Sequence, residues 1–133
     1  MIELSPTEIA QIVGGRLVAG PDAPSTVSGE VHTDSRKVVP GSIFFALPGE
    51  VTDGHLFVGN AVENGAALLI VERELDSLAA QIVVADGYDA LASLAREVVA
   101  RVRARGTLRV VAVTGSNGKT TTKNMLRAVL EGE

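Results

Sequence analysis

The chain has 133 residues, of which 46% are hydrophobic and 3% aromatic, and it contains no cysteine. That length accommodates one domain and the start of another, with a core drawn from Val, Leu, Ile and Ala. A formal charge of −4 argues against a general affinity for nucleic acid, and zero cysteines exclude disulfides and thiolate metal sites.

In chain order, SPTEIAQIVGG opens with a signed helix start. Ser5 is the cap, Pro6 suits the first helical position, and Glu8 completes a capping box. Ile9, Ile12 and Val13 give the apolar face, and Gly14-Gly15 ends it. RLVAG suits a short strand, TVSGEVHT alternates as a strand, and SIFFAL is a compact apolar run of strand type. A helix is expected over residues 56–64, stopping at Gly65, followed by two buried strands in AALLIVE and QIVVA. Leu91, Leu94, Ala95, Val98 and Val102 then recur at helical spacing, and Gly106 ends that run. LRVVAVTG is apolar enough for a parallel strand covered on both faces. The expectation is an α/β protein: a small mixed-sheet domain over residues 1–84, a linking helix over 85–106, and a second unit beginning at 107–133.

That second unit opens with TGSNGKTTT between a strand and a helix, the minimum for gripping polyphosphate. Gly115 and Gly118 permit close backbone approach, and Ser116, Asn117 and Thr121 complete the loop. Lys119 is placed to reach the β/γ-phosphates of ATP, and the Thr120 hydroxyl to bind Mg2+. The general pattern needs a glycine at position 113, where Val113 stands, so this is a tighter variant.

Two polar, glycine-rich loops mark the first domain, HTDSRKVVPGS and LPGEVTDGHLF. Ser35, Arg36, Asp53 and His55 offer donors, acceptors and charge suited to a nucleotide or sugar phosphate. The same residues also suit structural roles, with Asp34-Ser35 as a turn, Arg36 as a solvated side chain, and Asp53-Gly54 as a turn with a helix cap.

TGSNGKTTT, with its missing first glycine, resembles the ATP loop of the Mur ligases, the bacterial enzymes that build the peptidoglycan stem peptide. The continuation TKNML is most similar to the D-alanyl-D-alanine-adding, MurF type. The order TDSR, PGS-FFAL-GE, DGH-F extends the resemblance through essentially the whole chain. It implies that the first domain binds the uridine diphosphate part of a UDP-N-acetylmuramoyl-peptide, with Ser35, Arg36, Gly49, Asp53, Gly54 and His55 on the substrate loops. His32 matches no motif and is read as structural.

The resemblance further implies ATP-dependent amide formation through an acyl phosphate, with D-alanyl-D-alanine as the incoming amine and Lys119 as the catalytic cation. Such ligases also need central and C-terminal domains, which these 133 residues are expected to stop short of. The chain is therefore expected to be an N-terminal part that is inactive alone. Alternatives are a MurE-type ligase adding the third amino acid, a non-catalytic UDP-sugar-binding module, and a P-loop regulatory NTPase. With no apolar run near the ~20 residues of a membrane span and no secretory pattern in MIELSPTEIA, a cytoplasmic location is expected. Oligomeric state stays open.

Overall fold

The computed structural model describes residues 2–104. Helix α1 (Pro6–Val13) forms as its cap dictates: the Glu8 N–H donates to the Ser5 hydroxyl at 3.1 Å, and the Ser5 N–H to the Glu8 carboxylate at 2.8 Å. Five strands follow: β1 (Arg16–Val18), β2 (Val31–His32), β3 (Ile43–Phe45), β4 (Leu68–Val71) and β5 (Ala80–Val83). They form one sheet in the order β1-β5-β4-β3-β2. β2 to β5 run parallel, and β1 closes one edge antiparallel to β5, so the sheet is mixed as expected.

Alternate residues of the parallel strands enter two separate cores. Ile43, Phe45, Leu68, Ile70, Ala80 and Ile82 face α1 and a long helix α3 (Gly87–Ala104). Phe44, Leu69 and Val71 face the short helix α2 (Val58–Glu63). Both faces are covered, which explains why these strands read as unbroken apolar runs. Beside α2 the chain after β4 shields the sheet. There buried Gln81 accepts from the Leu75 N–H at 2.9 Å and donates to the Leu75 carbonyl at 2.8 Å. Helix α3 buries Ala90, Leu91, Leu94, Ala95 and Val98, and Arg101 reaches Glu8 of α1 at 3.6 Å. The residues read as a link thus contribute to the core of the first domain.

Two local readings need correction. The stretch TVSGEVHT pairs as a strand only at Val31–His32, while Val27 forms a separate antiparallel bridge with Leu4. Between them the Gly29 backbone lies against the Gly41 carbonyl, so close that a Cβ would collide with it. That contact diverts the chain from the ladder. The helix expected from residue 56 begins instead as a 3-10 turn, Gly54–Phe57, and becomes α-helical only at Val58. The strand from residue 107, the phosphate loop and its helix lie outside the described residues. Among the described residues no helix is long and apolar enough to cross a membrane.

Candidate functional site

Because β2 to β5 are parallel, the loops leaving their carboxyl ends line one edge of the sheet. Open α/β sheets place ligands at that edge. The first loop follows β2 and carries Asp34, Ser35 and Arg36; the second follows β3 and carries Gly49, Asp53, Gly54 and His55. The two loops identified in the sequence are thereby brought to the same side, with α2 packed against both.

In the first loop Asp34 caps a 3-10 turn, Ser35–Lys37, by accepting the Arg36 N–H at 3.0 Å. Its carboxylate also takes the Arg36 guanidinium in two parallel bonds, Nε at 3.0 Å and a terminal nitrogen at 2.8 Å. Those bonds hold the Asp34 carboxyl down to about 2. The Arg36 side chain is 83% exposed, so its remaining N–H donors face water in a fixed orientation. Ser35 is buried, and its carbonyl accepts from the Asn64 side chain at 2.9 Å, tying the loop to the end of α2. His32, at the end of β2, is buried and pairs with Glu30 at 2.8 Å.

The second loop is closed on itself. The Gly49 N–H donates to the Thr52 carbonyl, and the Gly54 N–H to the Leu47 carbonyl, each at 2.9 Å. A Cβ on Gly54 would stand 2.7 Å from the Leu47 backbone nitrogen, so a glycine is required there. One Asp53 oxygen accepts from the His55 backbone N–H at 3.0 Å and from His55 Nδ1 at 2.6 Å; the other accepts from Arg73 at 3.1 Å. The backbone and ring N–H groups of His55, with Arg73 beside them, bring the Asp53 carboxyl down to about 2. The turn read at Asp34-Ser35 and the turn with a cap read at Asp53-Gly54 are both present, and Asp34 caps its turn as well. His55 itself is buried.

Glu72, Arg73, Asn64 and Tyr88 escaped the sequence reading. Each acts on a loop residue at least 20 positions away or, for Glu72, on His55 17 positions away, so no local spacing marks them.

These two carboxylates make acid stability predictable. Both pKa values are lowered from 3.8, so their contribution is complete above pH ~4 and is lost as pH falls toward ~2. Urea midpoints measured across that window should fall, and should fall less in an Asp34→Asn, Asp53→Asn double variant. Equal slopes in the two proteins would contradict the assignment.

A doubly covered, mostly parallel sheet with two hydrogen-bonded polar loops at its carboxyl edge is an α/β domain of the class that holds ligands at that edge. The family model described as Mur ligase family, catalytic domain, matches residues 29–108, and the chain belongs to the Mur ligase family. It is 44% identical over 133 residues to UDP-N-acetylmuramoyl-tripeptide--D-alanyl-D-alanine ligase of Bacillus subtilis, covering 98% of this chain and 28% of that protein. It is 47% identical over 100 residues to UDP-N-acetylmuramoyl-L-alanyl-D-glutamate--2,6-diaminopimelate ligase of Syntrophomonas wolfei, covering 74% of this chain and 20% of that one. A crystal structure of MurF from Acinetobacter baumannii superposes with a TM-score of 0.70 at 36% identity, covering 90% of this chain and 25% of that one. MurF ligase from Thermotoga maritima, solved in complex with ADP, gives 0.62 at 30% identity, covering 80% and 30%. The chain spans about a quarter of the length of these relatives.

Proposed function

We propose that residues 2–104 form the sugar-nucleotide platform of a ligase that joins D-alanyl-D-alanine to UDP-N-acetylmuramoyl-tripeptide. The observation that carries this reading is the Arg36 guanidinium, fixed by Asp34 at the carboxyl edge with donors still facing water. A guanidinium of fixed orientation suits a diphosphate, because its planar donors match phosphate oxygens and little side-chain freedom remains to be lost. The D-alanyl-D-alanine type is preferred because similarity to its members extends over 98% of the chain. The diaminopimelate-adding type is the second reading, favoured by the higher identity over a shorter stretch.

In the whole ligase, ATP would phosphorylate the tripeptide carboxylate with release of ADP, and the amine of D-alanyl-D-alanine would displace phosphate from the acyl phosphate to form the amide. Lys119 and Thr120, with Gly115, Ser116, Asn117, Gly118 and Thr121, are proposed to hold ATP and Mg2+ on sequence grounds. All seven lie outside the described residues. Among the described residues no group of three His, Asp or Glu is placed to hold a metal ion.

Titrating this chain with UDP-N-acetylmuramoyl-tripeptide, followed by amide NMR shifts, tests the platform. Saturable shifts at residues 33–37 and 47–55 are expected, competed by UDP and weakened about tenfold in Arg36→Ala. A folded spectrum that UDP-N-acetylmuramoyl-tripeptide leaves unchanged would remove the reading.

A further inference from the structure

His55 carries the chemistry most often assigned to ligand contact, yet its bonds all point inward. The Glu72 N–H donates to Nε2 at 2.8 Å, so that nitrogen must present its lone pair. The ring proton therefore sits on Nδ1 and is donated to Asp53 at 2.6 Å. With a side chain 1% exposed, the imidazole has both nitrogens occupied and no face open to a ligand.

The bonds continue around a closed circuit. The Glu72 carboxylate accepts the N–H of Gly87, the first residue of α3, at 2.8 Å. The neighbouring Tyr88 hydroxyl donates to the Pro48 carbonyl at 3.1 Å, which returns to the second loop at its opposite end. Pro48 and Asp53 are themselves bridged. The loop is thus gripped at Pro48 by α3 and at Asp53 by His55, and Glu72 joins the two grips.

We infer that His55 and Glu72 are positioning residues, which lock the loop 48–53 against the amino end of α3 in its ligand-ready shape, and that His55 does not touch the sugar nucleotide. This rests on the platform reading above. A preformed loop raises affinity because its ordering cost is already met before ligand arrives. The inference removes His55 from the contact residues that the motif DGH suggests and adds Glu72, which lies in no motif.

Side-chain NMR of this chain labelled at histidine decides it. Without ligand, the His55 ring should show the Nδ1–H tautomer with Nε2 as an acceptor. Saturation with UDP-N-acetylmuramoyl-tripeptide should leave those ring shifts unmoved while amides of residues 33–37 respond. His55→Leu should weaken binding about tenfold although it removes no contact with ligand. Should that variant not fold, Glu72→Ala against Glu72→Gln makes the comparison: Gln keeps an oxygen for Gly87 and should retain affinity, whereas Ala should lose several-fold. An Nε2–H tautomer, ring shifts that follow ligand, or equal affinities for the two Glu72 variants would each overturn the inference. The correct tautomer in a protein that binds no nucleotide would instead remove the platform reading, and the positioning role with it.

Discussion

Phe45→Ala is expected to cost about 3–5 kcal/mol of stability, and Phe44→Ala a comparable amount. The pair is informative because the two residues are adjacent in β3 and point to opposite sides of the sheet. Phe45 enters the core beneath α1 and α3, and Phe44 the core beneath α2; both are 0% exposed. A sheet with one wet face would make one substitution severe and the other nearly silent. Covered on both faces, it makes both severe. Domains of this size hold roughly 5–15 kcal/mol in total, so either change removes a large share. Urea unfolding followed by circular dichroism reads the loss as a lower midpoint. Val51→Ala, at a position 99% exposed, serves as control and should stay within about 0.5 kcal/mol of the parent. A wild-type midpoint in Phe44→Ala would show that α2 does not cover the sheet as described.

The parts of this architecture written in local sequence were readable, and the parts made by distant contacts were not. SPTE fixes the start of α1 because cap and partner are three residues apart. The strands at Ile43–Phe45 and Leu68–Val71 stand out because two-sided burial leaves no polar position to interrupt them. TVSGEVHT misleads because alternation states only that a segment suits a sheet. What ends the ladder before Glu30 is the turn at Gly41, which lies 12 residues beyond Gly29.

The site divides in the same manner. Asp34 and Asp53 each bond a backbone N–H two residues ahead, so their cap roles belong to the sequence. Whether Arg36 is a solvated residue or a fixed guanidinium depends on both Asp34 oxygens facing it, which only the folded turn shows. The burial of His55 needs Glu72, and Glu72 needs the parallel pairing of β3 with β4 to arrive beside it. A histidine in a polar glycine-rich motif looks like a ligand contact until its second nitrogen is accounted for.

Lys119→Ala is expected to lower ATP-dependent amide formation by about 10²–10³-fold in the ligase proposed to carry this chain, the scale of losing one charge-stabilising group at a transferring centre. The proposal assigns that lysine to the phosphates of ATP. The sugar nucleotide is assigned to the edge formed by β2 to β5, where Arg36 is held by Asp34 and the second loop by its own bonds and His55. The two roles should therefore separate. Isothermal titration of Lys119→Ala with UDP-N-acetylmuramoyl-tripeptide, in the absence of ATP, should return the parent affinity while turnover is lost. Arg36→Ala should show the reverse emphasis, with weaker nucleotide binding and a smaller loss of turnover at saturating substrate, since a contact equally strong in ground and transition states acts through affinity. Loss of sugar-nucleotide binding in Lys119→Ala would mean that the phosphate loop helps build the platform, and the separation of the two roles would have to be abandoned. Unchanged turnover in that variant would remove Lys119 from the chemistry altogether.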